Sequence, residues 1–189
     1  MSAYIFHNRK LRNRLNSPIG STDRASLAFH QRLNSYAPTP LRRAPELAPA
    51  LGVGEVLLKD ESSRLGLPAF KILGASWAIY RALESRIGHT LEPWQKMTEL
   101  AQRLAPLRPM TLAAATDGNH GRAVAHMAAL LGFAARIYVP AGTAQARIDA
   151  IASEGATVEV VDGTYDDAVA RSARDANDCC LVILSPAWP

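Results

Sequence analysis

The sequence predicts an α/β protein, an open parallel sheet with flanking helices, and three observations carry that prediction. From Met110 onward, segments of strand and helix character alternate without a break. The strand segments are short apolar runs such as Leu181-Val182-Ile183-Leu184, as expected of strands inside a parallel sheet covered by helices. Residues suited to helix ends stand at the junctions, with Thr143 and Thr164 as N-caps and Gly132 and Gly155 as C-caps. At 189 residues the chain can bury a sizeable core, as one domain or two small ones.

Residues 1–40 show weak periodicity, with helical character around Ser26 to Leu33, and leave through Pro38-Thr39-Pro40, a rigid extended connection. A short helical pattern from Leu47 ends at the turn Gly52-Val53-Gly54. Glu55 to Glu61 then reads as a strand running into an acidic loop that delivers the chain to Lys71. Ile72 to Leu83 is apolar on nearly every face, including Trp77, Ile79 and Leu83, which predicts a helix buried on most sides. Pro93 suits a first helical position before Trp94, Met97, Leu100, Ala101 and Leu104, an amphipathic helix stopped by Pro106. Met110 to Thr116 reads as a buried strand. Asp117-Gly118-Asn119-His120-Gly121 turns it into a helix with Val124, Met127, Leu130 and Leu131 on one side. Strand Ala135 to Val139, helix Ala144 to Glu154, strand Thr157 to Val161, helix Tyr165 to Asp175 and strand Leu181 to Leu184 complete the pattern.

Composition narrows the function classes. Hydrophobic content of 48% and charged content of 20% are ordinary for a soluble globular protein. Apolar runs are interrupted by Lys71, Arg81, Arg122 and His126 before they reach membrane-spanning length, and no apolar segment follows Arg9, Lys10, Arg12 and Arg14 as a signal peptide requires. A cytoplasmic location without membrane contact is therefore the expectation. Cys179 and Cys180 are adjacent, a spacing that suits neither a disulfide nor a metal site, and they read as small apolar residues. The formal net charge of +4 at pH 7 owes much to the segment Asn8 to Arg14. No aromatic residue is interleaved there, so it reads as a solvated basic tail rather than a nucleic-acid contact.

Two stretches carry chemistry. Lys71, between Phe70 and Ile72 at the start of a helical pattern, is expected to be partly desolvated and near the positive end of a helix dipole. Both effects disfavour the ammonium form, and a neutral amine is a nucleophile able to form a Schiff base. The commoner fate of such a residue, and the one that local sequence alone favours, is a lysine lying along an apolar surface on its methylene stem with its amine in water. Thr116-Asp117-Gly118-Asn119-His120-Gly121 sits where open parallel sheets bind ligands, beyond the carboxyl end of a strand and directly before a helix. Its glycines allow close backbone approach, Asn119 offers a donor and an acceptor, and Asp117 could exchange a proton. The alternative is that Asp117 or Asn119 merely caps the helix; His120 has no role that follows from its position.

Together these stretches resemble the fold-type II family of pyridoxal phosphate enzymes, which are tryptophan synthase β-like. Lys59-Asp60-Glu61-Ser62, Ala69-Phe70-Lys71-Ile72-Leu73-Gly74, Thr116 to Arg122, Ala144 to Ile151 and Tyr165-Asp166-Asp167 look within it like the diaminopropionate ammonia-lyases. The resemblance extends from about Tyr36 to about Trp188. It implies an N-terminal arm at 1–40, the N-terminal part of the large domain with the Schiff-base lysine at 41–88, and a small α/β domain at 89–189. It implies pyridoxal 5'-phosphate as cofactor, a small amino-acid substrate and α,β-elimination of 2,3-diaminopropionate to pyruvate and ammonia. Lys71 then binds the cofactor and acts as base on one face, Asp117 resembles the base for the opposite stereoisomer, and Asn119 matches the residue that hydrogen-bonds the cofactor's phenolic oxygen. Full-length members are homodimers.

Departures accompany the matches. Pro68 stands where asparagine is expected, Ala75 where a second glycine is usual, and Ser185 where the family has an acidic residue before its Ala-Trp pair. The chain stops about half way through the family's length, so the C-terminal half of the large domain, with the glycine-rich phosphate cradle, is expected to lie outside it. An inactive fragment is the corresponding expectation. Two other readings stay open, a serine/threonine dehydratase-like eliminase and a non-catalytic remnant acting as a binding or interaction domain.

Overall fold

The computed structural model describes residues 24–178 and 181–183. The basic segment Asn8 to Arg14, the cysteine pair, Leu184 and the Ser185 departure lie outside the described residues.

The first described element, α1 (Ala25–Gln31), sends Phe29 into an aromatic cluster with Trp77, Tyr80 and Trp94, at ring-centroid distances of 5.5, 4.9 and 5.8 Å. β1 (Leu41–Arg43) and β2 (Leu57–Lys59) pair antiparallel in a two-stranded ribbon; a 3₁₀ turn and the short α2 (Ala48–Leu51), closed by left-handed Gly52, connect them. The expected 55–61 strand is therefore only three residues long. Beyond it Asp60 turns back on Ser62, and Glu61 is drawn to Arg64 and Thr39.

α3 (Lys71–Ile87) corrects the expectation of a helix buried on most sides. Ile72, Ala75, Ile79 and Leu83 are buried, whereas Lys71, Gly74, Ala78, Arg81 and Ser85 form an exposed stripe at helical spacing. The apolar letters at Gly74 and Ala78 are too small to demand burial, so the helix is amphipathic. α4 (Met97–Arg103) starts four residues after Pro93, another correction. Trp94 is 1% exposed in the aromatic cluster, with the Arg32 guanidinium 4.0 Å from its ring centroid and bonded to its carbonyl; that packing holds the segment out of the helix.

β3 (Thr111–Ala115), α5 (Asn119–Leu131), β4 (Ala134–Pro140), α6 (Gln145–Ala152), β5 (Thr157–Val161), α7 (Tyr165–Asp178) and β6 (Leu181–Ile183) follow the predicted alternation. The four strands are parallel in the order β5-β4-β3-β6. Alternate residues of β3 serve opposite faces: Leu112 and Ala114 join a core with α3 and α5, while Ala113 and Ala115 join Tyr138 and Ala168 beneath α7. Gly132 ends α5 in the left-handed region at φ +73°, as expected. Leu130, expected on the buried side, is 44% exposed because Val124, Met127, Ala128 and Leu131 already fill that side. Thr164 caps α7 by exchange with Asp167, each backbone N–H donating to the other's side-chain oxygen. Thr143 does not cap α6: its hydroxyl donates to the Pro140 carbonyl at 2.8 Å, and Ala144 occupies the cap position. Gly155 is left-handed at φ +86° beyond the end of that helix.

Candidate active site

The chain moves outward from β3 through β4 to β5, then returns across the sheet to place β6 on the other side of β3. The reversal falls beside the carboxyl end of β3, the position at which open α/β sheets form a crevice. A cavity of about 540 Å3 opens there, within the small-molecule range. Lys71 reaches it from the first position of α3, Thr116 to His120 from the β3–α5 turn, Arg147 from α6 and Tyr165 from the first position of α7. The structure thus brings Lys71, Asp117 and Asn119 together around one space although 46 residues of sequence separate Lys71 from Asp117. His120, for which no role followed from sequence position, lines the cavity as well.

The turn is shaped from inside. Thr116 is buried at 2% exposure, and its hydroxyl oxygen accepts the backbone N–H groups of Gly118 at 3.0 Å and Gly121 at 3.2 Å. Gly121 is pressed so closely to β3 and β4 that a Cβ there would collide with Thr116 Cγ2 and lie 2.6 Å from Ile137 Cγ2. From outside, Arg147 Nη1 donates to the Asp117 carbonyl at 3.0 Å. Tyr165 adds a phenol whose pKa is raised, first by burial and then by the negative charges of Asp117 and Asp166.

Lys71 departs from the desolvated reading and matches the exposed one that local sequence favours. It is exposed, with its Nζ 5.5 Å from the centroid of a Phe70 ring that is 57% exposed. Ile72 and Ala75 occupy the core face of α3, which turns Lys71 to the cavity side, and its apolar sequence neighbours do not enclose it.

The residues present fit the reacting end of a pyridoxal phosphate: an amine, an amide and a carboxylate converge on a space large enough for the ring. Among the described lining residues Gly118 is the single glycine, so the glycine-rich run that cradles a phosphate is not part of this wall. The sequence reading assigned no role to Arg147, Tyr165 or Thr116. All three were findable by position: Thr116 ends a predicted strand, and Arg147 and Tyr165 each follow the carboxyl end of one within about eight residues.

Fold and cavity define a parallel α/β protein with a lysine-bearing small-molecule site at the switch point. Residues 33–188 match the family described as pyridoxal-phosphate dependent enzyme, and the chain belongs to that family. It is 43% identical over 171 residues to diaminopropionate ammonia-lyase of Escherichia coli (strain K12), a match covering 89% of this chain and 42% of that protein. The crystal structure of the Escherichia coli enzyme in complex with an aminoacrylate-PLP azomethine reaction intermediate aligns with a TM-score of 0.75 at 41% identity, over 91% of this chain and 43% of that one. L-serine dehydratase/L-threonine deaminase of Rattus norvegicus is more distant, 31% identical over 169 residues, covering 80% of this chain and 45% of the relative. The chain spans less than half the length of these relatives.

Proposed function

We propose that the protein carrying this chain is a pyridoxal-phosphate-dependent ammonia-lyase that converts 2,3-diaminopropionate and water to pyruvate and two molecules of ammonia. The observation that carries this reading is the convergence of Lys71, Asp117 and Asn119 on one cavity, in a chain 43% identical to an enzyme of that name. When bound, the cofactor's conjugated ring accepts the electron pair released at the substrate's α-carbon. Lys71 Nζ would hold the cofactor and, when free, would take the α-proton on its own side of the cavity. The Asp117 carboxylate takes it from the opposite stereoisomer and complements a substrate that bears a second ammonium. Asn119 Nδ2 would donate to the cofactor's phenolic oxygen.

The reading includes amino-acid catabolism in the cytoplasm and a homodimer for the whole protein. Its cytoplasmic part is supported by the adjacency of Cys179 and Cys180, which suits a reducing compartment; among the described residues no helix is long and apolar enough to cross a membrane. The test is turnover of the full gene product on 2,3-diaminopropionate, L-serine and L-threonine, with pyruvate and ammonia measured separately. Ammonia at twice the pyruvate from 2,3-diaminopropionate, with the highest kcat/KM for it, is expected. Preference for serine or threonine would transfer the protein to the dehydratases, and no turnover of any would favour a binding remnant.

A further inference from the structure

The peptide unit joining Asp117 to Gly118 is held at both ends. Its carbonyl oxygen accepts Arg147 Nη1 at 3.0 Å, and its N–H donates to the buried Thr116 hydroxyl at 3.0 Å. The Arg147 side chain also lies along the turn, with Cδ 3.5 Å and Nε 3.9 Å from the point where a Gly118 Cβ would stand. Pinning both the oxygen and the N–H of one planar unit fixes its rotation, and with it the direction in which the preceding residue carries its side chain. Arg147 has no ion pair among the described residues, so a salt bridge does not account for its placement. It comes from α6, an element separate from the turn it holds.

We propose that Arg147 is a positioning residue for Asp117, clamping the Asp117-Gly118 peptide so that the carboxylate is presented to one face of the substrate. The proposal rests on the elimination reading above, in which Asp117 serves one stereoisomer and Lys71 the other. Arg147 then governs stereoisomer balance without itself transferring a proton. Misplacement of a reacting group by about 1 Å costs up to about a hundredfold in rate, so a loosened clamp is expected to show in kcat.

The test uses the full gene product and compares Arg147→Met, Arg147→Lys and Asp117→Asn. Asp117→Asn defines the stereoisomer that depends on the carboxylate. For that isomer Arg147→Met is expected to lower kcat at least about tenfold with little change in KM, to leave the other isomer's kcat within about twofold, and to be partly rescued by Arg147→Lys. Amide hydrogen exchange, which needs no turnover, should accelerate at Gly118 and Gly121 in Arg147→Met with the melting temperature unchanged. Where Asp117→Asn separates the isomers, equal losses on both in Arg147→Met would overturn the clamp, and unaltered exchange at Gly118 would overturn it in every case. If Asp117→Asn fails to separate the isomers while exchange at Gly118 accelerates, the clamp stands and the role given to Asp117 falls.

Discussion

Glu61 illustrates how single side chains prepare the approach to Lys71. Arg64, only 6% exposed, donates Nε and Nη2 to its two carboxylate oxygens at 2.7 and 2.8 Å, and Thr39 donates at 2.5 Å. Arg64 also donates to the Ala37 carbonyl, tying the Pro38 connection to the loop that precedes α3. These bonds, Arg64 foremost and Thr39 next, hold the Glu61 pKa at about 2, below its ordinary 4.5. A depressed carboxylate contributes stability that is present above its unfolded pKa and is lost as pH falls through the folded one. Glu61→Gln is therefore expected to lower the melting temperature at pH 7, with the gap to the parent closing between about pH 4.5 and 2. A gap that persists below pH 2 would show that shape rather than charge makes the contribution. Lys71, Asp117 and Asn119 were legible in the sequence because their neighbours form recognisable strings. Position after a strand could place Arg147 near the site, but not its role, which lies in a bond to a main-chain oxygen 30 positions earlier.

The turn between β3 and α5 decides whether these side chains meet. Gly121 lets the first turn of α5 press against β3 and β4, so Gly121→Ala has no room without displacing Thr116 or Ile137. Overpacking of this kind costs about 1–3 kcal/mol, to be read as a lower urea midpoint. An unchanged midpoint would mean that the turn adapts freely. Alternation and caps made β3 to β6 and α5 to α7 predictable, since local pattern and tertiary packing agree there. The start of α4 was hidden because Trp94 is captured by Phe29, Tyr80 and Arg32, contacts between distant parts of the chain. The exposed stripe of α3 was hidden for a different reason: Gly74 and Ala78 count as apolar in a periodicity yet need no burial.

At the scale of the molecule, buried side chains run continuously from Phe29 to Ile151, while apolar surface stays open around the β1–β2 ribbon. Leu41 is 61% exposed, Leu51 64%, Leu57 49% and Leu58 47%, with Leu41 and Leu57 on one face of the ribbon, and exposed apolar surface of that kind promotes association. The 189-residue chain alone is expected to self-associate with rising concentration in sedimentation, and Leu41→Glu with Leu57→Lys to reduce this. A monodisperse parent monomer would contradict that expectation. The central claim, that one lysine among Lys10, Lys59, Lys71 and Lys96 carries the cofactor, has a direct measurement. The full gene product is incubated with pyridoxal phosphate, reduced with borohydride and mapped by peptide mass spectrometry. A phosphopyridoxyl adduct is expected at Lys71 and lost in Lys71→Ala; labelling centred on Lys59 or Lys96, or no stable adduct, would overturn the assignment of Lys71.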